Sequence, residues 1–194
     1  MSDPKMQVIF VKQTGHVVAA FSRTADESKS KLEDIVGAGV PFRNMRIVED
    51  TGLVTGNELV VIPAESLDVA IVDFDVDAFF TPLSFVTSGN KVDQLGSVTL
   101  PAPVLTASDI TIKVTNPVAE KTKVWAVVQQ VAPAAGEEPS RRIVQGEIDV
   151  NLPEVKLELK RMPDGLPASI LSGNYDVLTL VAGQQRRCER KTIS

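Results

Sequence analysis

The sequence predicts a mainly β protein with a small α+β part, in which an N-terminal ββαββ module is followed by an antiparallel β-sandwich. Three observations carry that expectation. Short runs alternate between apolar and polar residues at a period of two over much of the chain. Gly, Pro, Asn and Ser punctuate those runs at short intervals. Only the stretch from Thr24 to Gly37 carries helix signals instead.

Taken in order, Met6 to Lys12 and His16 to Phe21 read as a hairpin joined by Gln13-Thr14-Gly15. The helix follows, with Thr24 as the expected N-cap, Glu27 placed as in a capping box, and Gly37 where the helix stops. Leu32, Ile35 and Val36 share one face at spacings of three and four. Glu33 and Asp34 near its end oppose the helix dipole, so packing must hold it. Met45 to Glu49 and Glu58 to Ile62 form the second strand pair, with turn chemistry at Asp50-Thr51-Gly52 and Thr55-Gly56-Asn57. A seam at Pro63 to Ser66 sets the expected domains, residues 1–66 and 67–194.

From Leu67 onwards the sequence predicts strands and no helix. The candidates are Val69–Phe74, Leu83–Thr87, Asp109–Thr115, Lys123–Val131, Ile143–Val150, Val155–Arg161 and Tyr175–Val181. Val155, Leu157 and Leu159 alternate with Glu154, Lys156, Glu158 and Lys160, the pattern of a half-buried strand. Ile110, Ile112 and Val114 repeat it against Thr111, Lys113 and Thr115. Ser88-Gly89-Asn90 and Ser172-Gly173-Asn174 read as further tight turns, since Gly and Asn tolerate positive φ.

The run Leu171-Ser-Gly-Asn-Tyr-Asp-Val-Leu-Thr-Leu-Val181 resembles the closing strand of immunoglobulin-like or fibronectin-like sandwich domains. The resemblance implies a sandwich architecture and no function. There is no cysteine pair of the antibody type, because Cys188 stands alone.

Composition narrows the function classes. At 194 residues and 20.9 kDa, folding buries about 70% of the surface of the unfolded chain. No stretch is apolar for long enough to span a bilayer, and no signal-peptide core opens the sequence. Cytoplasmic synthesis, with later incorporation in a larger particle, is the expectation. Residues 47–90 hold no Lys or Arg, while Glu49, Asp50, Glu58, Glu65, Asp68, Asp73, Asp75 and Asp77 accumulate there. Such a surface repels phosphate backbones, so nucleic acid is not an expected partner.

Asp73, Asp75 and Asp77 are the candidate metal ligands, because a strand would set all three carboxylates on one face and calcium would offset their repulsion. An EF-hand is excluded, since Phe79 stands near its glycine position and Ser84 at its final glutamate. A solvated face or a partner contact is the simpler reading. His16, the single histidine, is expected at the surface after the hairpin turn, with nothing tying it to Cys188 or a serine. Gln184 to Lys191 reads as a basic, solvated tail able to dock on an acidic surface. Ala132 to Ser140 reads as a loop, and Trp125 and Tyr175 as core residues. Gly37-Ala38-Gly39 lacks the Gly-Lys-Ser/Thr continuation of a phosphate loop.

The functional expectation is a non-enzymatic structural or assembly subunit acting through protein-protein contacts or self-association, with a phage-like or injection-type particle as one setting. It has no catalytic residues, no cofactor and no small-molecule substrate. The alternative is a sandwich module that binds a sugar, a peptide or calcium through the acidic strand or the 132–140 loop.

Overall fold

The period-two pattern becomes mainly β structure in a computed structural model, which describes residues 4–23, 30–47, 54–131, 133, 139–160 and 166–194. Its residues group into two units. One comprises Met1–Val40, Ile62–Thr99 and Leu180–Arg186, and the other Pro41–Val61, Leu100–Thr179 and Arg187–Ser194.

In the first unit, β1 (Lys5–Val11) is the middle strand of a sheet ordered β2-β1-β5, with β2 at Val17–Arg23 and β5 at Leu67–Asp73. The β1–β2 turn falls where the sequence placed it. Gly15 has φ 76°, and its N–H donates to the Val11 carbonyl at 2.8 Å. Met6 lies opposite Val72, and Val8 opposite Ala20 and Ala70. These side chains join Val17, Ala78, Phe85 and Val92 in one core cluster. On the other face Gln7 is 3% exposed. Its amide pairs with the Ser30 backbone in both directions, at 3.0 and 3.1 Å.

The expected helix is present as α1 (Leu32–Val36), one turn long, starting from Lys31 and ending at Gly37 with φ 54°. Thr24 and Glu27 lie outside the described residues. Leu32, Ile35 and Val36 are its half-buried positions, as their spacing required. Residues 64–66 form a 3₁₀ turn that leads β4 (Val54–Pro63) into β5, and β5 then pairs with β1. Thr55-Gly56-Asn57 belongs to β4 and is not a turn; β4 pairs with β3 (Gly39–Ile47), and Asp50-Thr51-Gly52 lies outside the described residues.

The stretch after Leu67 is not free of helix. A one-turn helix, α2 (Val76–Phe80), and a 3₁₀ turn at Pro82–Ser84 follow β5. Next come β6 (Phe85–Ser88) and β7 (Lys91–Gln94), joined at Gly89 with φ 61° as the turn reading required. The Thr87 N–H donates to the Gly15 carbonyl at 3.0 Å, and His16 bridges Val86. With the 3₁₀ turn and α2 also packed on β2, that edge strand is shielded from further pairing.

The second unit holds a three-stranded and a four-stranded sheet. One is ordered β12-β9-β8, with β8 at Val104–Leu105, β9 at Asp109–Lys113 and β12 at Glu154–Glu158. Ile110 and Ile112 are buried along β9, and Val155 and Leu157 lie opposite them on β12, so the alternation read from sequence is structural. The other sheet is ordered β11-β10-β13-β14, with β10 at Thr122–Gln130, β11 at Arg141–Ile148, β13 at Gly173–Val181 and β14 at Arg187–Ile193. Gly173 opens β13 with φ 151° instead of making a tight turn. The two sheets meet where a Cβ at Gly146 would stand 2.5 Å from a methyl of Leu157. No larger side chain fits at residue 146 unless Leu157 moves.

Val124 to Gln129 and Tyr175 to Thr179 are buried without interruption, so both faces of the central strands are covered. Trp125 and Tyr175 are core residues, as expected, at 1% and 2% exposed. The Tyr175 hydroxyl donates to the Leu171 carbonyl at 2.9 Å. Tyr175→Phe is expected to lower the unfolding free energy by about 1 kcal/mol, read from urea midpoints, because the bond from the buried ring to the Leu171 carbonyl is lost. The Thr179 hydroxyl is buried with no hydrogen-bond partner. Thr179→Val keeps the shape and removes that orphan, so it should raise stability by about 1 kcal/mol in the same titration.

Candidate functional site

The three aspartates do not share a strand face. Asp73 ends β5 and pairs with Lys5. Asp75 has extended backbone and caps α2: its Oδ1 accepts from the N–H groups of Asp77 at 2.9 Å and Ala78 at 3.0 Å. Asp77 lies inside the helix. The strand reading fails because an Asp followed by a short helical turn satisfies orphan backbone donors, which an extended continuation would not require. Among the described residues no three His, Cys, Asp or Glu side chains are grouped so as to hold a metal ion.

The same turn instead presents hydrocarbon. Phe74 is 42% exposed, Val76 53%, Phe79 39% and Phe80 75%, while Ala78 alone of the helix points into the core. The Phe79 and Phe80 rings stand edge to face with centroids 5.9 Å apart. The mount is well braced. Thr81 donates to the Asp77 carbonyl through its N–H at 2.8 Å and its hydroxyl at 2.9 Å, and the Ser84 N–H donates to the Thr81 carbonyl at 2.9 Å. Sequence reasoning passed over this face, although three of the seven phenylalanines fall within residues 74–80. Their clustering beside an Asp cap and before Pro82 was the available signal.

His16 is not at the surface; it is 0% exposed. Its Nε2–H donates to the Gln184 carbonyl at 2.8 Å, which leaves Nδ1 to accept from the Thr14 hydroxyl at 3.0 Å. Burial, helped by nearby Arg186 and only partly offset by the backbone of Gln184 and of Thr14, pushes its pKa down to about 4. The ring is thus a neutral structural crosslink.

The basic segment near residue 190 is not a tail. It becomes β14, paired with β13, with Cys188 buried. Burial pushes the Glu189 carboxyl up, but hydrogen bonds from Lys191 and Arg187 outweigh it and hold the group below its usual range. Arg190 binds Asp176 through Nε at 2.8 Å and Nη2 at 3.2 Å. Asp176 also accepts from the Leu59 N–H at 2.9 Å. Beside it, Gln129 accepts from the Val61 N–H at 3.0 Å and donates to the Leu59 carbonyl at 3.3 Å. Two buried side chains of the four-stranded sheet therefore grip the backbone of β4.

In the first unit, a groove of about 470 Å³ runs between α1 and β5 and sets Lys12 and Lys31 among Glu33 and Asp68. Of the 132–140 loop only Pro133, Pro139 and Ser140 lie within the described residues. Among the described residues no helix is long and apolar enough to cross a membrane. No protein-family model matches the sequence, and comparison with curated proteins and with solved structures returns no match.

Proposed function

We propose that this chain is a non-enzymatic structural subunit that works through protein-protein contacts, and that the exposed face of α2 is one of its contact surfaces. The observation that carries the reading is the set Phe74, Val76, Phe79 and Phe80, four apolar side chains held outward on a braced turn. Exposing them has a hydration cost that the fold could remove by turning the helix, so a surface of this kind marks an interaction site. Aromatic side chains fixed in place before binding lose little entropy when covered.

The second unit is, on the same reading, an immunoglobulin-like sandwich. The strand orders β8-β9-β12 and β11-β10-β13-β14 support this, as does the return bond from the Tyr175 hydroxyl to the Leu171 carbonyl, which matches the tyrosine corner of such domains.

The native complex purified from its own host should have a mass well above the 20.9 kDa of one chain. Phe80→Ser combined with Val76→Ser should release the subunit while leaving its melting temperature within a degree or so, since both side chains face solvent. A wild-type chain that stays monomeric at high concentration and has no partner in its host would overturn the reading. Calcium should leave the melting temperature unchanged, because the Asp75 carboxylate is already committed to α2. A rise by mass action would favour the ligand-binding alternative instead.

A further inference from the structure

We propose that the exposed face of α2 receives an arginine-bearing apolar segment of a different protein, with the guanidinium laid on the Phe80 ring and paired with Asp77. The proposal rests on the contact-surface reading and names the chemistry of the partner. The three carboxylates of this turn are not equivalent. Asp73 is paired with Lys5, and Asp75 is taken up by the N–H groups of Asp77 and Ala78. Asp77 is exposed and, among the described residues, has no ion pair. It stands three positions before Phe80, so the two side chains are neighbours on the helical turn. Phe80 is 75% exposed, and most of its ring is open to solvent.

A carboxylate beside an open aromatic ring selects the residue that satisfies both. The planar guanidinium stacks on an aromatic face while donating two parallel hydrogen bonds to a carboxylate, whereas an ammonium is a more strongly hydrated point charge. Phe74, Val76 and Phe79 then cover the apolar side chains that flank that arginine. Covering this face withdraws Asp77 from water, and a partner without a cation there would leave it buried and unpaired. A second copy docked through the same face fails that requirement. A two-fold contact of α2 on α2 brings Asp77 towards Asp77, and the nearby cations Lys5 and Lys91 already pair with Asp73 and Asp93. An anionic lipid surface is repelled for the same reason.

The probe is a random peptide library displayed on phage, selected on the full chain and counter-selected on a chain carrying Val76→Ser and Phe80→Ser. Recovered peptides are expected to share an arginine flanked by large apolar residues. The best of them, synthesised with a fluorophore, should bind Asp77→Asn about tenfold more weakly than wild type, the loss of one charge-assisted contact. Replacing its arginine by norleucine should weaken it by a similar factor. Asp77→Asn leaves the Asp75 cap in place, so its melting temperature should match the wild type. Peptides without a shared cation, equal affinity for Asp77→Asn, or no recovered peptide would each overturn the arginine site. So would binding to vesicles of equal parts phosphatidylserine and phosphatidylcholine that is lost in Phe80→Ser and kept in Asp77→Asn. In the native complex, Asp77→Lys should release the subunit, as Val76→Ser with Phe80→Ser does. Release by the serine pair alone refutes the arginine and leaves the contact surface standing, whereas release by neither refutes both.

Discussion

Lowering the pH from 7 to 4 is expected to remove about 3 kcal/mol of stability through His16 alone. The ring is neutral in the fold, with a pKa of about 4, against 6.5 for the unfolded chain. Between those values the unfolded state binds the proton more readily, so stability rises with pH across the window. The contribution is complete above about pH 6.5, declines steadily towards pH 4, and changes no further below it. The magnitude follows from about 1.4 kcal/mol per pKa unit. Urea midpoints at pH 7, 5.5 and 4 measure it. His16→Gln can still bond the Gln184 carbonyl but does not titrate, so its midpoint should be lower at pH 7 and flatter across the window. An equally steep decline in the variant would place the acid sensitivity elsewhere.

Asp176→Ala should lower the unfolding free energy by about 3 kcal/mol, because it strips a buried donor and a cation of their shared acceptor. The loss stays below the upper range for buried ion pairs, since the Arg190 side chain is 40% exposed and can turn to water while that of Asp176 is buried. Asp176→Asn keeps an acceptor for the Leu59 N–H and should cost about 1 kcal/mol. The two variants together, followed by urea titration and by hydrogen exchange at Leu59 and Val61, separate the charge from the backbone contact. If Asp176→Ala melts like the wild type, the grip on β4 contributes nothing to stability.

How much of this was legible in the sequence depended on how local the cause was. β9 and β12 could be read because one face of each turns inward and the other is wetter, so Ile110, Ile112, Val155 and Leu157 stand out against polar neighbours. β14 could not. Its charges neutralise one another on the strand, Glu189 between Arg187 and Lys191, and only Cys188 marks the inward face. α2 has five residues, too few to establish a helical period, so its aspartates read as strand alternation. The burial of His16 depends on Gln184, 168 positions away. No window along the chain contains both residues. Of the candidate site, the acidic residues were visible and their work was misread, while the phenylalanines were visible and passed over.

The first unit closes on the carbonyl of Gln184, and the second needs β14 to complete its larger sheet. Synthesis on the ribosome therefore holds the first unit unfinished until residue 184 has emerged, and the second until β14 has. For most of that time the apolar strands of both must remain uncommitted, and aggregation competes with folding throughout. Slowing elongation early in the message would lengthen the hazard, whereas a chaperone that holds the nascent chain until residue 193 has cleared the exit tunnel would shorten it.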